Sequence, residues 1–515
     1  MRVPLTLIDF LDRAELFGDR TLLVDEPEGP ASLGRVSATD LVRRARGMAV
    51  ELDRLGVGHG ARVAIVSPNS ARFVIALFGV SAFGRILVPV NFRLNADEVR
   101  YIVEHSGAEV LLVDGELDEA LADVAAPHRI VLDGEQDAAL VGGSDEAPAP
   151  WEPDEDATAS INYTSGTTAR PKGVQLTHRT LWLHAASIGW HLGVSARDVY
   201  LQALPLFHCN GWGIPYGLAA MGGRQVMLRR VDGAEILRRV EEEGVTLTAG
   251  APAVLDAALA AARPLIEGGG PVPGHGRTRV LVGGAAAPTS TIRRIEEELG
   301  WEFMHGYGLT EAAPLLTITR APAEWDGLEA DERAALLARQ GLAAVGVRLR
   351  VDGHGEVLAR SNHVLESYWD DPEASAAALQ DGWLHTGDGG RLDDDEHLIV
   401  TDRKKDVILT GAENVSSLEV EDCLHAHPDV VDVAVIGVPH ERWGETVLAL
   451  VVRRDGSDVE AQDLIGFTRE RMSAFKCPTA VEFRDALPRT ATGKIQKFKL
   501  RAPYWTERQA PLGRR

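Results

Sequence analysis

The sequence predicts an α/β protein: a large N-terminal domain with doubly wound sheets and a small β-rich subdomain, then a small α+β C-terminal domain. Three observations predict it. Short apolar runs alternate with amphipathic stretches from residue 37 to about residue 300, the pattern of parallel strands joined by crossover helices. After residue 340 the texture changes to short alternating segments. The 515 residues are also more than one core fills, so two or three domains are expected.

The elements follow in order. Residues 37–56 place Leu41, Ala45, Met48, Ala49 and Leu52 near helical spacing. Arg62-Val63-Ala64-Ile65-Val66 reads as a buried strand, 69–82 as a helix, and Ile86-Leu87-Val88-Pro89-Val90 as the next strand. Helix 96–106 and strand Val110–Val113 continue the alternation. The acidic, Gly- and Pro-containing stretch 134–158 reads as a surface connection, followed by a short strand at 160–163. Residues 196–262 repeat the pattern, and 264–276 read as an exposed Gly/Pro loop. Strand 280–282 and helix 288–299 follow. The segments 345–351, 356–360 and 391–400 form the β-rich subdomain. The charged run Thr401–Asp406 reads as a linker, which sets the domains at 1–402 and 403–515. Beyond it, 419–426, 431–438, 446–453, 460–474 and 480–484 make the α+β unit.

A net charge of −23 argues against nucleic acid and anionic membrane as partners. An anionic substrate then needs a local positive site. Cys209, Cys423 and Cys477 have neither paired nor metal-ligand spacing, which suits reduced thiols and a cytoplasmic location. Arg2 precedes a short apolar stretch broken by Asp9 and Asp12, which does not read as a signal peptide. No apolar run is long enough to span a membrane.

The most informative run is Tyr163-Thr164-Ser165-Gly166-Thr167-Thr168-Ala169-Arg170-Pro171-Lys172-Gly173. It holds five hydroxyls, two glycines and a lysine in eleven residues. Hydroxyls and bare N–H groups suit a polyphosphate, and a lysine neutralises it. On residues alone, a polar loop between strand and helix stays open. Lys172 sits between Pro171 and Gly173, so the run is not a Walker-type P-loop. Only seven of the 53 basic residues are lysines, at 172, 404, 405, 476, 494, 497 and 499. Where charge alone is needed this chain uses arginine, so a retained lysine marks a place for a compact point charge.

Three further segments carry chemistry. Gly306-Tyr307-Gly308-Leu309-Thr310-Glu311 follows a strand. Its glycines let a flat ring approach a base, and its Thr–Glu pair offers a hydroxyl to phosphate and a carboxylate to Mg²⁺; a tight turn with a packed Tyr is the plainer alternative. Trp383–Asp388 ends in a carboxylate with two acceptor oxygens, enough for two ribose hydroxyls. Arg489-Thr490-Ala491-Thr492-Gly493-Lys494 places a lysine on a glycine-containing loop, beside Lys497 and Lys499, which read as ordinary surface charge. Phe207-His208-Cys209-Asn210-Gly211-Trp212 has no further ligands spaced for a metal and reads as a packed aromatic turn.

Taken in this order, the motifs resemble the adenylate-forming (AMP-binding) superfamily of acyl-CoA synthetases, peptide-synthetase adenylation domains and luciferases. Leu204–Trp212 and Thr490–Phe498 are most similar to the branch of medium-chain and methylmercaptopropionate-CoA ligases. The resemblance implies an ATP-dependent carboxylate–CoA ligase that forms an acyl-AMP on Mg²⁺·ATP and transfers the acyl group to CoA. It implies that Thr164, Ser165, Gly166, Thr167, Thr168 and Lys172 hold phosphates, and that Gly283, Gly284, Ala285, Gly306, Tyr307 and Gly308 line the adenine. Thr310 would contact phosphate, Glu311 Mg²⁺, and Asp388 with Arg403 the ribose. His208 and Trp212 would bound the acyl pocket, with Trp182 and Trp190 as further candidates for its walls. Lys494 would enter the site for adenylation. The C-terminal domain would then rotate about Lys405, bringing 408–416, with Gly411 and Ala412 at the CoA tunnel. Ala169 and Ala412 stand where the family commonly has glycine. Ala412 and the short segment Val347–Val357 keep open an enzyme that loads a carrier-protein thiol or passes its acyl-adenylate to another non-CoA acceptor, and a degenerate adenylate-binding protein is a third reading.

Overall fold

The computed structural model describes residues 3–26, 32–164, 171–403, 406–410, 413–440, 443–490 and 494–505, with the side chain of Arg403 also outside the description. Ser165, Gly166, Thr167, Thr168, Ala169, Lys405, Gly411 and Ala412 therefore lie outside the described residues.

Among the described residues two large sheets form the body of the molecule. The nine-stranded sheet runs Leu342–Ala343, Leu315–Arg320, Glu302–Gly308, Arg279–Gly283, Leu247–Gly250, Val199–Gln202, Arg224–Met227, Thr21–Val24, Arg35–Ser37. Its central strands are parallel and its outer pairings antiparallel. The seven-stranded sheet runs Ser367–Tyr368, Lys172–Thr177, Thr158–Thr164, Ile86–Val90, Arg62–Val66, Ala108–Asp114, His128–Leu132. It is parallel except at the end holding Lys172–Thr177 and Ser367–Tyr368. The expected α/β alternation is what forms, with antiparallel edges added.

Helix Ala71–Gly79 is buried on every face, as its continuous apolar sequence requires. Ser70 caps its start by accepting from the Phe73 N–H. Arg72 on this helix bonds Asp137 at 2.6 to 2.9 Å with both side chains buried. The stretch 134–158 is thus not wholly a surface connection: it folds a short helix, Asp137–Val141, back onto the core. Arg72→Ala strips a buried carboxylate of its guanidinium and is expected to cost about 3–5 kcal/mol, measured by urea unfolding; a loss below about 1 kcal/mol contradicts this account of the pair. Helix Pro252–Glu267 also runs further than expected, through Pro264.

The β-rich subdomain is the sheet of Val347–Val351, Glu356–Ser361, Trp383–Leu392 and Leu379–Gln380, with Leu398–Arg403 paired to Trp383–Leu392. The last sheet joins Glu413–Val415, Ile408–Thr410, Gly444–Arg453 and Val430–His440, with Ala480–Phe483 parallel to Gly444–Arg453. It packs helices Ser417–His425 and Ala461–Arg469 around its own apolar cluster, including Val420, Leu424, Val435, Val447 and Leu464. This matches the expected α+β unit.

Among the described residues no helix is long and apolar enough to cross a membrane.

Candidate active site

Ligands in α/β sheets bind beyond the carboxyl ends of the strands, and three such ends meet here. Thr158–Thr164 ends at Thr164, Arg279–Gly283 leads into Gly284, and Glu302–Gly308 leads into Thr310 and Glu311. They open on a cleft of about 2630 Å³ that also reaches the C-terminal sheet. Thr164, Lys172, His208, Trp212, Gly284 and Ala285 line it, as do Gly306, Tyr307, Gly308, Thr310, Glu311, Asp388 and Lys494. Residues spread over some 330 positions of sequence thus share one cavity.

Backbone constraints fix its walls. Strands Arg279–Gly283 and Glu302–Gly308 pair with Gly283 opposite Gly306. A Cβ on Gly308 would stand 1.7 Å from the Pro314 carbonyl oxygen, so only glycine fits. A Cβ on Gly283 would meet the Gly306 carbonyl oxygen at 2.8 Å and Cη2 of Trp212 at 2.9 Å. Gly283 therefore admits the edge of the Trp212 indole between the strand ends. Gly284 has φ +80°, a left-handed conformation that glycine adopts without penalty.

Asp388 is held by its own turn. The Gly387 N–H donates to Glu356 Oε1 at 2.9 Å and the Thr386 hydroxyl to the Val357 carbonyl at 2.7 Å. The Tyr307 hydroxyl donates to Asp388 Oδ2 at 2.8 Å, joining the aromatic and the carboxylate expected beside base and ribose. Asp388 pairs in register with Arg403 across the sheet.

Tyr368, also on the cleft, is a residue the motifs did not identify. Its hydroxyl donates to Glu311 Oε1 at 2.7 Å, and the Lys172 ammonium lies 4.9 Å from its ring centroid. Burial and the adjacent Glu311 carboxylate push the phenol upward, so it remains a donor. The Leu365 N–H bonds the Glu311 carbonyl at 2.7 Å, tying the Tyr368 strand to the Glu311 turn. Among the described residues no group of three or more His, Cys, Asp or Glu could hold a metal ion. The Glu311 carboxylate on this cleft fits Mg²⁺, which is commonly held by one or two carboxylates and substrate phosphates.

The run Phe207–Trp212 is more than an aromatic turn. Cys209, Asn210, Gly211, Trp212 and Gly213 all have positive φ, a left-handed turn costing about 1–2 kcal/mol for each non-glycine residue. Asn210 helps to hold it: the Ser160 hydroxyl and Asn162 Nδ2 both donate to its Oδ1, at 3.2 and 3.4 Å. The turn puts His208 and Trp212 on the same cavity. Burial, then the Lys494 charge, lower His208 to about 3, so its imidazole is neutral at physiological pH. Cys209 donates to Thr310 Oγ1 at 3.3 Å and is raised to about 12 by burial; it is a neutral thiol.

Trp182 and Trp190 do not reach the pocket. Trp182 donates to Asp9 at 3.0 Å and stacks on Phe10, and Trp190 is 71% exposed. Ile188 of the same helix lines the cleft instead.

Lys494 enters from the C-terminal unit. Its Cε lies 3.8 Å from the position a Cβ would take on Gly284. Its loop is braced by the Thr490 N–H to the Lys494 carbonyl at 2.7 Å, and by Arg489 on both Asp432 oxygens at 2.8 and 2.7 Å. Lys497 is not surface charge: it pairs with Glu421 at 2.7 Å, donates to the Ser417 hydroxyl, and both ion-pair side chains are nearly buried.

The chain resembles known proteins over nearly its whole length. Residues 10–369 match the AMP-binding enzyme family and residues 419–494 the AMP-binding enzyme C-terminal domain. It is 35% identical to a peroxisomal butyrate–CoA ligase of Arabidopsis thaliana, with 97% of this chain and 93% of that protein covered. It is 34% identical to a 2-methylpropanoate–CoA ligase of Humulus lupulus, with 97% and 95% covered. The o-succinylbenzoate CoA synthetase of Bacillus subtilis, solved with its acyl-adenylate intermediate, superposes with a TM-score of 0.81 at 28% identity, covering 96% and 97%. The same enzyme solved with ATP and magnesium ion gives 0.80 at 27% identity, covering 96% and 98%. With both parts of the family pattern matched and the motif residues gathered on one cleft, this chain belongs to the AMP-binding enzyme family.

Proposed function

We propose that this chain is an ATP-dependent carboxylate–CoA ligase. The observation that carries the reading is Lys494 of the C-terminal unit beside Gly284, in the cleft that also holds Lys172, Glu311 and Asp388. In the first step a substrate carboxylate oxygen attacks the α-phosphate of ATP, pyrophosphate leaves, and an acyl-AMP forms. In the second a CoA thiol attacks the acyl carbonyl, AMP leaves, and the thiol proton is released.

The residues divide this work. Thr164, Lys172 and the segment 165–168 receive the departing phosphates. Tyr307 and Asp388 orient adenosine, with Arg403 beside Asp388. Glu311 would hold Mg²⁺, which neutralises phosphate charge when bound. Lys494 supplies a fixed positive charge where negative charge develops between carboxylate and α-phosphate. His208, neutral and next to Lys494, bounds the acyl site without adding charge. We place the domain boundary at 402/403 and the hinge at Lys405, so that rotation withdraws Lys494 and presents 408–416, with Gly411 and Ala412, for thioester formation.

Phe207, Trp212, Ile188, Leu281, Leu309 and Leu315 line the cleft with apolar surface, which favours a carboxylate with an apolar acyl chain. The relatives named for butyrate and 2-methylpropanoate, both four-carbon acids, support that choice and support CoA over a carrier-protein thiol as acceptor. The free cysteines 209, 423 and 477 favour a reducing compartment, and we take it to be the cytoplasm. ATP–pyrophosphate exchange with C3–C12 and aryl acids tests the reading: exchange confined to small apolar acids supports it, and no exchange with any acid favours an adenylate-binding protein instead.

Trp212, which lines the cleft against Gly283, would bound the acyl site. Trp212→Ala is expected to raise kcat/KM for C8–C10 acids relative to C4 by at least about tenfold, since each accommodated methylene contributes about 1 kcal/mol or more. An unchanged chain-length profile removes Trp212 from the acyl pocket.

A further inference from the structure

The segment from Gly284 to Thr289 touches the C-terminal unit at both ends. At Gly284 it meets Lys494. At Thr289 it meets Asp422: the Thr289 N–H donates to Asp422 Oδ1 at 2.9 Å, and its hydroxyl lies 3.2 and 3.4 Å from the two carboxylate oxygens. Asp422 sits on helix Ser417–His425, which is fastened to its own unit by other means. Val420 and Leu424 are buried in the C-terminal core, and Ser416 caps the helix start by accepting from the Glu419 N–H. The carboxylate of Asp422 is thus spent on the large domain. The same unit carries Asp432, which grips Arg489 at the base of the Lys494 loop.

We infer that Asp422 is a positioning residue for Lys494: it latches the C-terminal unit in the orientation that serves adenylation and must release Thr289 before the second step. This rests on the two-orientation reading given above. A charge-assisted hydrogen bond stabilises more than a neutral one, so loss of the latch should shift the population away from the Lys494-in orientation. It should leave the chemistry of CoA attack intact.

The test compares two half-reactions: acid-dependent ATP–pyrophosphate exchange, and CoA-dependent consumption of supplied butyryl-adenylate. Asp422→Ala is expected to lower exchange about tenfold and leave adenylate consumption unchanged or faster. Asp422→Asn, which still offers an oxygen to the Thr289 N–H, should restore exchange to within about threefold. Thr289→Ala, a change outside the C-terminal core, should lower exchange alone by about two- to threefold, and it keeps the test decisive if Asp422→Ala folds poorly. Unchanged exchange in Asp422→Ala and Thr289→Ala, or a parallel fall in both half-reactions, overturns the latch. Lys494→Ala serves as the control: if it too fails to separate the half-reactions, Lys494 does not act on the first transition state, the reading of Lys494 under the proposed function fails, and the latch that serves it falls with it, whereas separation by Lys494→Ala without separation by Asp422→Ala and Thr289→Ala overturns the latch alone.

Discussion

Lys494→Ala is expected to slow acyl-adenylate formation by about 10²–10³-fold, the usual effect of removing one preorganised donor from a developing charge. The ammonium is carried on a loop rather than on a core element, and its neighbours Arg489 and Thr490 brace that loop through their own contacts. Truncation should therefore leave stability nearly unchanged. The second half-reaction, started from supplied acyl-adenylate, should keep most of its rate if, as proposed, Lys494 is withdrawn before attack by the thiol. Single-turnover measurements of the two steps check this. Equal losses in both would mean that Lys494 acts on substrate binding or folding rather than on the first transition state.

Glu311→Gln is the second large effect. Glutamine keeps an oxygen for the Tyr368 hydroxyl, now 2.7 Å from Glu311 Oε1, and removes only the negative charge. kcat/KM for ATP should fall by about 10²-fold and half-saturation by Mg²⁺ should rise about tenfold, as expected when a hard cation loses its charged ligand. A Mg²⁺ titration at fixed ATP checks both. Tyr368→Phe should reproduce the direction at about three- to tenfold, the size of one hydrogen bond to a charged group. An unchanged Mg²⁺ requirement in Glu311→Gln would remove that carboxylate from the metal site.

The large domain was legible because parallel strands buried on both faces are written as short apolar runs, and their crossover helices as amphipathic ones. Arg62–Val66 and Ile86–Val90 lie where the sequence placed them. The described motif residues that meet on the cleft are marked in the sequence by glycines, hydroxyls and scarce lysines. Tyr368 was not, since it belongs to a two-residue strand too short to show any period. Its meaning comes from Glu311 and Lys172, 57 and 196 positions away in sequence. Lys497 was misread for the same reason: in a basic tail its charge looked solvated, and its partner Glu421 lies 76 residues upstream.

The left-handed turn at 209–213 was only half visible. Gly211 and Gly213 tolerate positive φ and Asn210 is the next most permissive residue, but nothing local predicts it at Cys209 and Trp212. Tertiary packing imposes it there, through the Asn210 hydrogen bonds and the fit of Trp212 against Gly283. The reach of Lys494 into the cleft is likewise a property of how two units dock, which periodicity does not encode.

Thioester formation through an acyl-AMP is read directly from the products. The protein is incubated with ATP, Mg²⁺ and butyrate, with and without CoA, and products are separated and weighed by mass spectrometry. AMP, pyrophosphate and butyryl-CoA should form in equal amounts when CoA is present, with no more than about one enzyme equivalent of butyryl-AMP without it. Butyryl-AMP that accumulates and is indifferent to CoA would contradict the ligase and point to a different acceptor.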